Sequence, residues 1–130
     1  DDVIKVAGHR IGSAEVESSL VSHKAVAEAA VVPYPHEIKG QSIYAFIILK
    51  KGNKKSEGLK DELRKHVSKH VGPIAKPEKI QFTDDLPKTR SGKIMRRILK
   101  AIAANTEEYG NITTLADPSI VKKLEIEKIK

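Results

Sequence analysis

No cysteine occurs among the 130 residues. Disulfides, thiolate nucleophiles and cysteine-held zinc are therefore excluded. Tryptophan is absent as well, and aromatic residues make up 4%, so a core has to be assembled from Val, Ile, Leu and Ala. No apolar run approaches the roughly 20 residues of a membrane-spanning helix, and no secretory h-region is present. Three tyrosines and two phenylalanines are spread too thinly to interleave with basic residues as a base-stacking platform. No helix-turn-helix, zinc-finger or RNA-binding signature appears either. Acidic residues are the minority: 24 Lys and Arg stand against 17 Asp and Glu, a net charge of +7. That balance favours polyanionic partners such as nucleotides, nucleic acids or acidic membranes, without choosing among them.

What is present fits one compact domain with its own aliphatic core. Val3–Ala7 alternates as a short strand does, and Gly8 and Gly12 bracket a reversal around His9, Arg10 and Ile11. Ser13 is placed to cap a helix, with Glu15 and Glu17 set against its dipole and Val16 and Leu20 on its buried stripe. Val26–Val32 reads as a strand that Pro33 and Pro35 stop, and Ile43–Leu49 as a strand covered on both faces. A helix is expected from Ser56 to Val71, its stripe formed by Leu59, Leu63, Val67 and Val71, with Gly72-Pro73 ending it. Lys79–Phe82 suits an edge strand. Ile94, Ile98 and Ile102 mark a further helix, and Ser119–Ile129 a terminal one. From Asn105 the pattern weakens. The fold expected is α+β, a small mixed sheet flanked by helices.

The densest chemistry lies in Leu86-Pro87-Lys88-Thr89-Arg90-Ser91-Gly92-Lys93-Ile94-Met95-Arg96-Arg97. Six basic residues and no acid fall between positions 88 and 100. A lysine beside a glycine at a loop tip can reach a phosphate or carboxylate on a neighbouring body. Lys93 could equally open a solvated basic helix. Gly8-His9-Arg10-Ile11-Gly12 brings two glycines close to a histidine and an arginine, yet taken alone it reads as an ordinary hairpin turn. It lacks the length and the Gly-Lys-Ser/Thr ending of a phosphate-cradling loop. His66 and His70 lie four apart on one helix, without the glutamate or third ligand that a metal site would need. Asp84-Asp85 is a turn signal rather than an acid/base pair.

The run from Pro87 to Arg97 resembles the C-terminal signature of the acetyl-CoA synthetase family of acyl-adenylate-forming enzymes. Asp1-Asp2-Val3-Ile4 is similar to the family's hinge, and Val6–Gly12 to the glycine motif beyond it. Ala14–Ser18, Ala27–Val32 and the tail Thr114-Leu115-Ala116-Asp117-Pro118 match in the same order, the tail favouring acetate over propionate. The resemblance implies that residues 1–130 are the mobile C-terminal lid domain, with the hinge at about 1–2 and a less regular tail from about 105. The large N-terminal domain would lie outside these residues. The first residue is Asp1 and not methionine, as expected of an excised or processed piece.

Further expectations come from the resemblance alone. It implies an ATP-dependent ligase that forms acetyl-AMP and pyrophosphate, then transfers acetyl to CoA, the domain turning about Asp1 between steps. Lys93 matches the adenylation lysine, Arg10 a residue contacting nucleotide phosphate, and Ala7 and Gly8 the lining of the CoA channel. Val21, His23 and Val26 correspond to a loop that holds magnesium, through main-chain oxygens at Val21 and Val26. Ser68 departs from the family, standing where relatives carry an arginine for a CoA phosphate; Arg64, Lys65 and Lys69 are near enough to substitute. The partners implied are the enzyme's own N-terminal domain, ATP, acetyl-AMP and CoA, with a lysine acetyltransferase and a deacetylase acting on Lys93. No nucleic acid and no membrane are expected. The enzyme would be cytoplasmic, any organellar targeting signal belonging to the part before Asp1. The competing classes are a basic nucleic-acid-binding module and a docking substrate for an acetyltransferase.

Overall fold

Residues Ser42 to Ile47 are all buried because their strand runs through the middle of a sheet with helices on both faces. The computed structural model describes residues 3–128; Asp1, the expected hinge, lies outside them. Five strands form the sheet: β1 (Val3–Val6), β2 (His9–Gly12), β3 (Val26–His36), β4 (Gly40–Leu49) and β5 (Lys79–Phe82). The order is β2-β1-β4-β3, with β5 also on β4, parallel to it, while the other pairings are antiparallel. The helices are α1 (Ser13–Val21), α2 (Glu57–His70), α3 (Arg96–Ala103) and α4 (Ser119–Ile126).

The pleat sends alternate residues to opposite faces, so β3 and β4 serve two cores. Val31, Ile43, Ala45 and Ile47 pack with Val16 and Leu20 of α1 and Leu63 and Val67 of α2. Val32, Tyr44 and Phe46 pack with Ile98, Leu99 and Ile102 of α3 and Leu124 of α4. The small mixed sheet flanked by helices is thus observed. Ser56 caps α2 through an Oγ that accepts the Leu59 N–H at 3.0 Å.

Four local readings are corrected. The reversal at the glycine motif falls at Ala7-Gly8, and His9–Gly12 is a strand of its own, Arg10 facing Lys5 across the hairpin. Ser13 is a buried first residue of α1, and Gly12 occupies the cap position without a side-chain bond. β3 continues through Pro33 and Pro35 to His36. The prolines fit because β3 is an edge strand. The Val31 N–H points off that edge to a Glu17 carboxylate oxygen at 2.8 Å, and residues 33 and 35 share its parity, so neither removes a ladder bond. Finally, the helix expected around Ile94 begins only at Arg96.

The tail is better tied than its composition suggests. Leu115 bridges to Thr89, the Ala116 N–H donates to the Lys88 carbonyl at 2.9 Å, and Gln81 donates to the Leu124 carbonyl at 3.1 Å.

Candidate active site

Lys93 sits on a tight hairpin instead of opening a helix. Lys88 and Ile94 form a bridge, the Thr89 N–H donates to the Lys93 carbonyl at 2.9 Å, and the Gly92 N–H donates to the Thr89 carbonyl at 2.9 Å. This is the three-residue loop in which a turn is completed by one left-handed residue. Gly92 supplies it with φ 91°, and open space surrounds the position a Cβ would take, so backbone conformation is what requires glycine. The Thr89 hydroxyl accepts the Lys93 N–H at 3.2 Å and bonds Ser91 at 2.9 Å, bracing the tip.

The flanking cations are spent on holding this hairpin. Lys88 reaches Glu28 of β3 at 2.7 Å. Arg96 reaches Glu17 of α1 at 2.5 Å. Arg97 donates to the carbonyls of Tyr109 and Asn111, drawing the tail beneath the loop. Arg90 and Lys93 remain exposed at the tip, with no ion pair among the described residues. A cleft of about 400 Å³ opens beside them, lined by Thr89, Lys93, Met95, Arg96 and Thr114. The arrangement presents one ammonium on a fixed backbone to whatever anion approaches.

The Ala7-Gly8 turn is the second candidate feature. Both residues have positive φ, 49° and 84°, as the favoured two-residue hairpin turn demands. Alanine there costs on the order of 1–2 kcal/mol, which the surroundings must supply. The Ala7 N–H is held by the Lys39 carbonyl at 3.0 Å. No atom lies within 4 Å of a Cβ placed on Gly8, so the turn opens to the outside. Arg10 projects from β2, exposed, with no partner among the described residues.

The two turns lie at opposite corners of the sheet. The Lys93 hairpin is pinned beside Glu28 on edge strand β3. The Ala7-Gly8 turn lies beyond β4, next to Gly40, which pairs with Val6 on one side and His36 on the other. From Glu28 to His36 is eight residues of strand, roughly 27 Å. Structure brings Ala7, Gly8 and Arg10 together on one hairpin and keeps Lys93 away from them.

The proposed metal loop is a poor fit for a histidine ligand. His23 is buried, its Nε2 bonds Glu62 at 2.5 Å and its Nδ1 accepts the Ala25 N–H at 3.0 Å. The His23 carbonyl accepts the Val26 N–H at 3.1 Å. A magnesium ion at this segment would have to rest on main-chain oxygens at Val21 and Val26. Among the described residues, no group of three or more His, Asp and Glu could hold a metal. Around Ser68, Arg64 is committed to the Pro77 and Glu78 carbonyls at 2.8 and 3.1 Å. Lys65 and Lys69 are the exposed cations left there.

Sequence reasoning missed the anchors. Glu17 looked like a helix-dipole residue, and Glu28 one acid within an otherwise apolar strand. Tyr109, Ile112 and Leu115, apolar residues in a polar tail, carried a signal that the tail docks.

The AMP-binding enzyme C-terminal domain pattern matches residues 15–93. The chain belongs to this family. An acetyl-coenzyme A synthetase from Desulfatibacillum aliphaticivorans is 61% identical over 125 residues, covering 95% of this chain and 19% of that protein. Its counterpart in Alkalilimnicola ehrlichii is 62% identical over the same length and shares. This AMP-binding C-terminal domain therefore spans about a fifth of the length of the relatives it matches. Among solved structures, an acyl-CoA synthetase from Brucella canis superposes with a TM-score of 0.75 at 46% identity, covering 77% of this chain and 18% of that one. An amide bond synthetase from Marinactinospora thermotolerans gives 0.72 at 28% identity, covering 78% and 20%. Among the described residues, no helix is long and apolar enough to cross a membrane.

Proposed function

We propose that this domain is the mobile C-terminal part of a cytoplasmic acetate–CoA ligase and serves two half-reactions with two different corners. In the first, an acetate oxygen attacks the α-phosphorus of ATP; the bond to pyrophosphate breaks and acetyl-AMP remains. In the second, the CoA sulfur attacks the acetyl carbon, the thiol proton is lost, and AMP leaves with its phosphate oxygen. The observation that supports this reading is the separation of the two ligand-facing turns. One carries an ammonium with no ion pair among the described residues, the other an open glycine, and no single orientation of the domain offers both corners to one reacting centre.

In the first step the Lys93 ammonium orients the acetate oxygen and opposes the charge growing at the α-phosphate. A preorganised donor of this kind is worth about 10²–10³ in rate. Its hairpin is fixed by neighbouring ion pairs, so little ordering remains to be done at the moment of reaction. In the second step the domain has turned about the segment near Asp1, and the Ala7-Gly8 backbone lines the channel for the pantetheine arm. Arg10, on the same hairpin, contacts nucleotide phosphate. Main-chain oxygens at Val21 and Val26 would hold a magnesium ion as a structural ion, supplying no chemistry to either step. The isolated domain, lacking the N-terminal body with most of the substrate contacts, is inactive.

Regulation follows from the same tip. Acetylation of Lys93 removes the charge and its phosphate contact, and exposed Arg90 beside it gives an acetyltransferase and a deacetylase a feature to dock on.

The test is a pair of variants in the intact enzyme. Lys93→Ala is expected to abolish pyrophosphate release from ATP and acetate while sparing acetyl transfer from preformed acetyl-AMP. Gly8→Leu is expected to do the reverse. Equal loss of both half-reactions in each variant would overturn the two-corner reading.

A further inference from the structure

The Ala7-Gly8 turn is strained at Ala7, and its one described main-chain anchor on another element is the Lys39 carbonyl. What holds Lys39 is therefore a question about the turn. Lys39 belongs to the connection between β3 and β4, and a single carboxylate, Glu78, gathers that connection from outside it. One Glu78 oxygen accepts the Tyr34 hydroxyl at 2.8 Å and lies 3.2 Å from His36 Nε2. The other accepts the Lys39 ammonium at 2.8 Å. The His36 ring then turns inward, its Nδ1 accepting the N–H groups of Ile38 and Lys39 at 3.2 and 3.1 Å. With Nδ1 an acceptor, Nε2 carries the proton that points at Glu78.

Glu78 is itself fixed at both main-chain groups. Its N–H donates to the Ile43 carbonyl at 3.0 Å, and its carbonyl accepts from Arg64 of α2 at 3.1 Å. The Lys39 ammonium beside it holds its carboxyl below the usual carboxylate range, and burial together with Glu78 pushes the Tyr34 hydroxyl up to about 12. The carboxylate is thus ionised, with Tyr34 and His36 from the end of β3 and Lys39 from the connection converging on it. The chain of contacts runs from α2 through Glu78 to Lys39, and through the Lys39 carbonyl to Ala7.

We propose that Glu78 is a positioning residue for thioester formation: by clamping Tyr34, His36 and Lys39 it sets the carbonyl that holds the Ala7-Gly8 turn in its ligand-facing conformation. This inference rests on the reading of Gly8 as part of the CoA channel. Glu78 touches no reacting atom, and it acts at the corner remote from Lys93. Its removal should therefore leave the two half-reactions unequally affected, which a loss of general stability would not do. A displacement of about 1 Å in a positioning element can cost about 10²-fold in rate, so a tenfold effect on one step is a reasonable threshold.

The experiment uses the intact ligase with four variants: Glu78→Gln, Glu78→Asp, Lys39→Met and Gly8→Leu. Acetyl transfer from synthetic acetyl-AMP to CoA and pyrophosphate release from ATP and acetate are measured separately, with unfolding midpoints for each protein. Glu78→Gln and Lys39→Met are expected to slow acetyl transfer about tenfold or more, leaving pyrophosphate release within about twofold of the parent. Glu78→Asp, which keeps the charge, should recover part of the lost rate. Lys39→Met preserves the carbonyl and removes only the clamped ammonium, so it decides the matter should Glu78→Gln fail to fold. If Gly8→Leu slows acetyl transfer while the clamp variants affect both steps equally or neither, the clamp is structural and the proposal falls. If Gly8→Leu leaves acetyl transfer intact, the underlying reading of that turn falls instead, and the clamp with it.

Discussion

Glu17 of α1 takes Arg96 with both carboxylate oxygens, at 2.5 Å from Nη2 and 3.3 Å from Nε, and accepts the Val31 N–H at 2.8 Å. One acid thus satisfies the edge of the sheet and fixes the start of the helix behind Lys93.

Replacing Glu17 with Gln removes the charge on which Arg96 depends and weakens the Val31 bond. Fully buried pairs cost about 3–5 kcal/mol to break, but Arg96 is partly solvated, so about 1–2 kcal/mol is expected here. Urea unfolding of the domain measures it. In the intact enzyme the same variant is expected to slow adenylation more than acetyl transfer, since the Lys93 hairpin loses one of its posts.

Arg97→Gln should loosen the tail. The guanidinium holds the carbonyls of Tyr109 and Asn111, and two bonds to a charged donor are lost together. Limited proteolysis is expected to cut the variant between residues 105 and 114 under conditions that leave the parent whole.

Acid should destabilise the domain in a window set by His66. Burial, and then the charges of His70 and His23, hold its pKa below the ordinary 6.5. Below that value the unfolded chain takes up the proton more readily than the folded one, so this contribution to stability falls as pH drops. The urea midpoint of the parent should decline between about pH 7 and 5, and that of His66→Gln should decline less.

Stoichiometric acetylation of Lys93 is expected to leave the unfolding midpoint unchanged, because the ammonium has no ion pair among the described residues. Pyrophosphate release should fall with the modified fraction while acetyl transfer from acetyl-AMP persists. Deacetylation should restore it.

Much of the fold was legible where burial is periodic. The Leu63 and Val67 stripe of α2 and the fully apolar run of β4 both follow from residue spacing. The errors came where tertiary context overrides local preference. Pro33 and Pro35 ordinarily stop a strand, but an edge position spares their missing donors. Ser13 is a good cap residue, but burying it against the sheet put Gly12 in that role. Lys93 and Gly8 were legible as candidates because glycine beside a charged residue is conspicuous. Glu17, Glu28, Lys39 and Glu78 were not, since each acts through partners at least 14 residues away along the chain, and no local pattern marks such pairs.

The most direct measurement is made on the intact enzyme carrying Lys93→Ala, with the two half-reactions assayed apart. The account predicts that pyrophosphate release falls by about 10²–10³ while acetyl-CoA still forms from supplied acetyl-AMP at the parental rate. Survival of pyrophosphate release, or equal collapse of both steps, would contradict it.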